Sequence, residues 1–149
     1  MRLVRLVCSL VLLHGCDNAD EVACSRADCA DAHIVELANA LPGRYDVRRG
    51  LASGTEACAF TLPAPLAVGP LDAEGACASV VVGEGTEAAP VVRITFPAVD
   101  EAGARVTVVR DGAVVADARV PLDYRPVYAI GPECGVTCRI ATTHPFASP

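Results

Sequence analysis

The chain has 149 residues and a formal net charge of −6, with 26 Ala, 21 Val and 8 Cys but no Lys, Gln or Trp. This length fits one domain, a hydrophobic fraction of 52% argues against a disordered chain, and the acidic balance without Lys argues against a nucleic-acid-binding surface. Because Ala and Val fill a core thinly, we expect cross-links between the cysteines to compensate.

The first fifteen residues predict a signal peptide. Arg2 and Arg5 precede an apolar stretch over residues 6–13, which is much shorter than the roughly 20 residues that span a bilayer as a helix. An ordinary secretory signal is the alternative, but residues 21–23, Glu-Val-Ala, would place an acid at position −3 of its cleavage site.

Residues 13–16, Leu-His-Gly-Cys, resemble the lipobox of bacterial lipoproteins, with Leu at −3, a small residue at −1 and Cys at +1. The resemblance implies that the Cys16 thiol receives a diacylglyceryl group and that Cys16, once cleaved free and N-acylated with a chain such as palmitate, becomes the first mature residue. Several acyl chains anchor a protein stably where one does not. The resemblance therefore implies a location in the cell envelope, on the outer membrane or on the inner membrane facing the periplasm.

Cys8 leaves with the signal and Cys16 takes the lipid, so an even set of six cysteines remains in an exported chain. Such a set predicts three disulfides. Sequence alone does not choose among the connectivities, and we prefer the three short loops Cys58–Cys77, Cys134–Cys138 and Cys24–Cys29.

A zinc site is the alternative to disulfides, because Cys24 and Cys29 together with Cys134 and Cys138 could supply four thiolates. Their spacings are not the usual C-x2-C, and an exported chain meets oxidant before it meets much zinc. We therefore predict neither a metal nor a cofactor.

Residues 16–31 predict a lipidated acidic tether, because five acids and small residues precede the first apolar run. Residues 32–149 then form a β-sandwich domain with a Cys-containing C-terminal segment. The domain reads as short alternating segments separated by Gly and Pro, and only residues 33–41 could be helical. The predicted strands are 33–38, 44–50, 56–62, 76–82, 91–96, 104–109 and 113–122, with a ragged eighth at 127–130.

Alternation assigns inward-facing sets to several of these strands. The core-facing residues are expected to be Tyr45 and Val47, then Cys58, Phe60 and Leu62, then Val92, Ile94 and Phe96.

The segment 105–120 predicts a hairpin. A three-residue loop, 110–112, places a whole apolar face in the core and pairs Arg105 with Asp117, whereas a two-residue loop mixes both faces. We therefore expect the longer loop, and direct pairing of Arg110 with Ala113 would contradict it. The apolar face comprises Val106, Val108, Val114, Ala116, Ala118 and Val120.

About seven antiparallel strands predict a disulfide-stapled immunoglobulin-like or fibronectin-like sandwich. The mature domain also resembles small Cys-rich lipoproteins of myxobacteria and related high-GC bacteria. The matching motifs are Cys-Ala-Phe-Thr-Leu-Pro at 58–63, Arg-Asp-Gly at 110–112, Tyr124, and Gly-Pro-Glu-Cys-Gly-Val-Thr-Cys-Arg at 131–139. This resemblance implies a fold and a compartment but no activity.

No arrangement typical of an enzyme stands out, and we predict a non-catalytic protein. No G-x-S-x-G surrounds a serine, and His33 and Glu36 point to opposite faces of a strand. Three sets of charged residues are interpreted as solvated: Glu84 with Glu87, Asp100 with Glu101, and Arg44 with Arg48 and Arg49.

Two functions remain open. The first is a membrane-tethered binding, interaction or structural module of the envelope, which presents loops 83–90 and 99–103 to another envelope protein. The second is a small-ligand carrier with a cavity between the sheets, lined by Phe60 and Phe96. The expected partners are the membrane and an envelope protein, not nucleic acid.

Overall fold

A computed structural model describes residues 29–84, 90–128, 135 and 137–146. The predicted signal peptide, Cys16, Cys24, Glu87 and Cys134 lie outside these residues. The described part is all-β, as predicted. Its strands are β1 (Ala32–Ala38), β2 (Gly43–Leu51), β3 (Gly54–Leu62), β4 (Gly69–Leu71), β5 (Ala73–Gly75), β6 (Ser79–Glu84), β7 (Pro90–Pro97), β8 (Gly103–Arg110), β9 (Ala113–Pro121), β10 (Arg125–Tyr128) and β11 (Thr137–Thr143).

The strands form two sheets, with the orders β10-β11-β1-β7-β6-β4 and β5-β3-β2-β8-β9. Neighbouring strands are antiparallel except β1 and β11, which are parallel and come from opposite ends of the domain. A parallel pair cannot be joined by a tight turn, so this pairing depends on the whole intervening chain.

Each of the seven predicted strands overlaps an observed one, and the helical option for residues 33–41 is wrong because that segment forms β1. The predicted strand at 76–82 begins only at Ser79. Before it, the Ala76 and Ala78 N–H groups donate to Ala57 and Thr95 at 2.8 and 2.7 Å. β11 was not predicted, since its sequence shows no alternation of apolar residues.

The core lies between the two sheets, and the predicted inward sets are confirmed. The Tyr45 and Phe60 rings stack with centroids 5.2 Å apart, and the Tyr45 hydroxyl donates to the Leu41 carbonyl at 2.7 Å. Val92, Ile94 and Phe96 and the three residues Cys58, Phe60 and Leu62 are all buried.

The predicted three-residue hairpin loop is wrong, because Arg110 pairs directly with Ala113. The predicted pairing of Arg105 with Asp117 across the strands is wrong too, since Arg105 lies opposite Arg119 and its side chain reaches Asp117 only diagonally. Asp111 and Gly112 have φ angles of 50° and 83°, which fit a two-residue turn whose twist matches that of the strands. The neighbouring strand supports this turn, since the Arg44 N–H donates to the Asp111 carboxylate at 2.9 Å.

A β-bulge reconciles the short loop with a continuous apolar face. Val109 pairs with Val114 and Val108 with Ala116, so Val115 is the extra residue. Val114 is 63% exposed and does not belong to the apolar face. The other predicted members of this face, in contrast, are buried or half-buried: Val106, Val108, Ala116, Ala118 and Val120.

One disulfide prediction is confirmed and the other two are wrong. Cys58 bonds to Cys77 across 19 residues, with Cα atoms 5.3 Å apart. Cys29 bonds to Cys138 across 109 residues, with Cα atoms 5.5 Å apart, which excludes both Cys24–Cys29 and Cys134–Cys138. The reason is the parallel pairing of β11 with β1, which brings Cys138 beside Cys29.

Candidate functional site

The two ends of the described domain meet at one end of the sandwich. Cys29 precedes β1 and bonds to Cys138 in β11. Beside this cystine, the Asp31 carboxylate accepts from the Arg139 N–H at 2.7 Å and from its Nε at 2.9 Å. The backbone N–H and then the guanidinium of Arg139 hold the pKa of Asp31 below its usual range. Residues that the sequence assigns to the tether are thus attached to β11.

Beneath this junction lies a buried cluster, which we define as His33, Arg49, Phe96 and Thr143 with Glu56 at its margin. His33 Nε2 and Thr143 Oγ1 are 3.0 Å apart. The imidazole stacks near Phe96, with the two ring centroids 6.3 Å apart. Burial, and secondarily the charge of Arg49, lower the pKa of His33 to about 4. His33 is therefore neutral at physiological pH.

Arg49 is fully buried and corrects the prediction that it shares a solvated face with Arg44 and Arg48. Its guanidinium lies 4.8 Å from the Phe96 ring centroid. Nη1 donates to the Pro97 carbonyl at 2.8 Å, Nε donates to Glu56 at 2.8 Å, and Nη2 pairs with the same carboxylate.

The sequence contained the signal that locates Arg49. The alternation that turns Tyr45 and Val47 inward turns Arg49 inward as well, whereas Arg48 on the opposite face is 52% exposed and pairs with Asp46. The charge of an arginine run suggested a solvated surface, but position along the strand decides the environment of each side chain.

The predicted opposition of His33 and Glu36 is confirmed. His33 points into the core, while Glu36 accepts from Arg93 at 2.7 Å on the outer face and lies 3.5 Å from His144 Nδ1. A general base needs to reach a proton of its substrate. His33 is fully buried, so in this structure it can order the core but does not meet solvent.

An open cleft of about 910 Å³ lies over the same end of the sandwich. The Tyr124 hydroxyl accepts from the Val99 N–H at 3.0 Å, and the Arg139 guanidinium lies 5.9 Å from the Tyr124 ring. Asp100 and Glu101, a predicted pair of loop acids, form part of one wall.

Glu101 fixes this wall to the neighbouring turn. It accepts from the Ala52 N–H at 2.7 Å and from the Ser53 hydroxyl at 2.7 Å. These donors, with the Ala52 N–H contributing most, lower the pKa of Glu101. Residues 99–103 therefore form a positioned, negatively charged rim, not a free loop.

The features expected for a carrier are arranged differently. Phe60 and Phe96 pack in the core with 4% and 0% of their surface exposed. Phe60 also borders an open cleft of about 570 Å³ together with Arg44, Leu71 and Glu74, and Phe96 is not part of its lining.

The alternative zinc site loses two of its four ligands, because Cys29 and Cys138 are oxidised to a cystine. Within residues 29–84, 90–128, 135 and 137–146, no three His, Cys, Asp or Glu side chains are placed to hold a metal. Over the same ranges, no helix has the length and apolar character to cross a membrane. The chain matches no protein family model, no curated protein and no solved structure.

Proposed function

We propose that this chain is an exported lipoprotein of the bacterial cell envelope, anchored at Cys16, whose β domain is a non-catalytic binding or structural module. The observation that carries the proposal is the pair of cystines, Cys29–Cys138 and Cys58–Cys77. Stable disulfides form in oxidising compartments such as the periplasm and are rare in the cytosol.

The distance between Cys16 and Cys29 supports a membrane-proximal module. Thirteen residues at full extension reach no more than about 45 Å. Cys29 is bonded to β11 beside the cleft. This end of the sandwich would therefore lie within about 45 Å of the lipid anchor at Cys16. A partner at the cleft would then be bound close to the membrane surface.

An immunoglobulin-like strand arrangement is part of the proposal. The order β6-β7-β1 corresponds to strands D, E and B, and β3-β2-β8-β9 corresponds to C′, C, F and G. The position of strand A beside β1 is taken by β11. The resemblance to the myxobacterial lipoproteins fits this view, since their closing Cys-containing segment corresponds here to β11 and the residues before it.

Mass spectrometry of the mature N-terminus tests the anchor. We expect the native protein to begin at an acylated Cys16 and to sediment with membranes. Cys16→Ser should lack the acyl mass and should leave the membrane fraction. An unmodified terminus downstream of Cys16 in the native protein would refute lipidation.

A matched pair of charge reversals tests the cleft as the docking surface. Asp100→Arg changes the cleft wall, whereas Asp72→Arg places the same change on an exposed residue bordering a different cleft. In a pull-down from envelope extract, we expect the bound partner to be lost with Asp100→Arg and kept with Asp72→Arg. Equal binding by both variants would move the interaction away from the cleft.

A further inference from the structure

β9 is the longest edge strand in the described part of the chain. It covers Ala113–Pro121, whereas the edge strands β4 and β5 have three residues each and β10 has four, including Pro126. An edge strand presents N–H and C=O groups that no neighbour satisfies, and proteins either block such an edge or pair it. β9 has the length to pair.

The outer face of β9 carries two opposite charges, Asp117 and Arg119, on the same side of the strand. Across on β8, Asp117 lies opposite Thr107 and Arg119 lies opposite Arg105. Arg105 Nε donates to Asp117 at 2.7 Å. Arg119 therefore stands beside a like charge, and within the described residues it forms no ion pair.

These charges select one register when β9 meets β9 of a second copy around a two-fold axis. With Asp117 at the axis, two carboxylates face each other, and with Arg119 at the axis, two guanidiniums do. With Ala118 at the axis, Asp117 of each copy faces the partner's Arg119. Opposite charges directly across a strand pair stabilise it, while like charges destabilise it.

We propose that β9 is a self-association edge, and that two copies of this chain pair antiparallel around Ala118 to join their five-stranded sheets. Each Asp117 then lies between Arg105 of its own chain and the partner's Arg119, and a carboxylate has enough acceptor sites for both. The same register places the exposed Val115 opposite the partner's Pro121.

The charges on β9 also explain why the pairing is selective. Charged residues and bulges are the usual protection of an edge against unrelated strands, and β9 has both, with its bulge at Val115. A strand with the complementary order of charges can still pair with β9, because each charge then faces an opposite one. Because a strand pair of this length buries less than the roughly 1,200 Å² of a standard stable interface, we expect a weak Kd of about 10 μM.

Sedimentation equilibrium of the full chain in density-matched detergent measures this Kd. Arg119→Glu places two acids opposite the partner's acids and should weaken association at least about tenfold. The same variant removes the repulsion between Arg105 and residue 119, so its melting temperature should not fall. Arg125→Glu is the matched control, because Arg125 is 79% exposed on β10 of the other sheet, and it should associate like the wild type.

The complementary variant makes the test specific for the register. Asp117→Arg alone should also be monomeric, whereas an equimolar mixture of Arg119→Glu and Asp117→Arg restores both charge pairs and should dimerise again. A wild type that stays monomeric at about 100 μM, well above the expected Kd, overturns the proposal. It is equally overturned if Arg119→Glu dimerises normally, or if the mixture associates no better than its components.

Discussion

The buried cluster and the β8–β9 hairpin hold their ion pairs in opposite ways. Arg49 and Arg105 lie on adjacent strands of one sheet, but Arg49 faces the core and bonds to Glu56, while Arg105 faces solvent and bonds to Asp117. An exposed pair is screened by water and contributes little. A buried arginine left without its partner is strongly unfavourable. The side of the sheet, not the residue type, therefore decides how much each pair matters.

The two regions also differ in the range of their contacts. The cystine Cys29–Cys138 and the His33–Thr143 hydrogen bond join residues separated by 109 and 110 positions. The hairpin pairs Arg105 and Thr107 with Asp117 across 12 and 10 positions. The first region closes the domain, whereas the second stabilises one local turn.

The largest effect should come from removing the long-range cystine. Replacing both Cys29 and Cys138 by Ala releases a loop of 109 residues and should lower the free energy of unfolding by about 5 kcal/mol. Chemical denaturation without reductant measures this. The matched variant, Cys58→Ala with Cys77→Ala, opens a loop of 19 residues and should lose less, about 3 kcal/mol. A reversed order would contradict a closing role for the first cystine.

Arg49→Ala should have the next largest effect. It leaves a cavity where a fully buried side chain stood and leaves the half-buried Glu56 carboxylate and the Pro97 carbonyl without their donor. It should therefore lower the free energy of unfolding by about 3 kcal/mol. Arg48→Ala is the control one residue away, on the exposed face, and should change stability little. Similar losses for both variants would show that the buried cluster is not special.

His33 makes stability depend on pH. Its pKa is about 4 in the fold and about 6.5 when unfolded. Below pH 6.5 the unfolded chain therefore binds a proton that the folded chain does not, and the free energy of unfolding falls as the pH falls from 6.5 towards 4. The loss should be about 2 kcal/mol between pH 6.5 and pH 5, a window above the range where Asp31, Glu101 and Asp117 titrate. His33→Gln should flatten this slope. An unchanged slope in His33→Gln would be the contrary result.

The hairpin should give the smallest effect. Arg105 holds the pKa of Asp117 below its usual range, but both side chains are exposed. Asp117→Asn should therefore shift the melting temperature by no more than about 3 °C, and the shift should vanish in 1 M NaCl. A shift as large as that of Arg49→Ala would remove the distinction between the two regions.

What could be predicted from the sequence follows the same division. The seven strands, the inward sets on β2, β3 and β7 and the Cys58–Cys77 bond are local, and alternation or short spacing encodes them. Even there, the loop of the hairpin was wrong, because the Val115 bulge changes the register in a way that composition does not reveal.

The cluster could not be predicted, because its members meet only when β11 lies beside β1. Thr143 and Cys138 belong to a strand with no clear periodicity, and nothing near them in the chain indicates a parallel partner. Arg49 is the exception, since its position two residues after Val47 already placed it inward. The predicted cleft acids Asp100 and Glu101 were located correctly in a loop, but their proximity to Tyr124 and Arg139 required the fold.

Non-reducing peptide mapping of the full chain tests most directly whether the two ends of the domain are joined in an oxidising compartment. Trypsin cuts after Arg26, so Cys24 and Cys29 fall in separate peptides, while Cys134 and Cys138 stay in one. We expect tandem mass spectrometry to find Cys29 in residues 27–44 bonded to Cys138 in residues 120–139. Cys29 bonded to Cys24, with Cys134 bonded to Cys138, would contradict this closure.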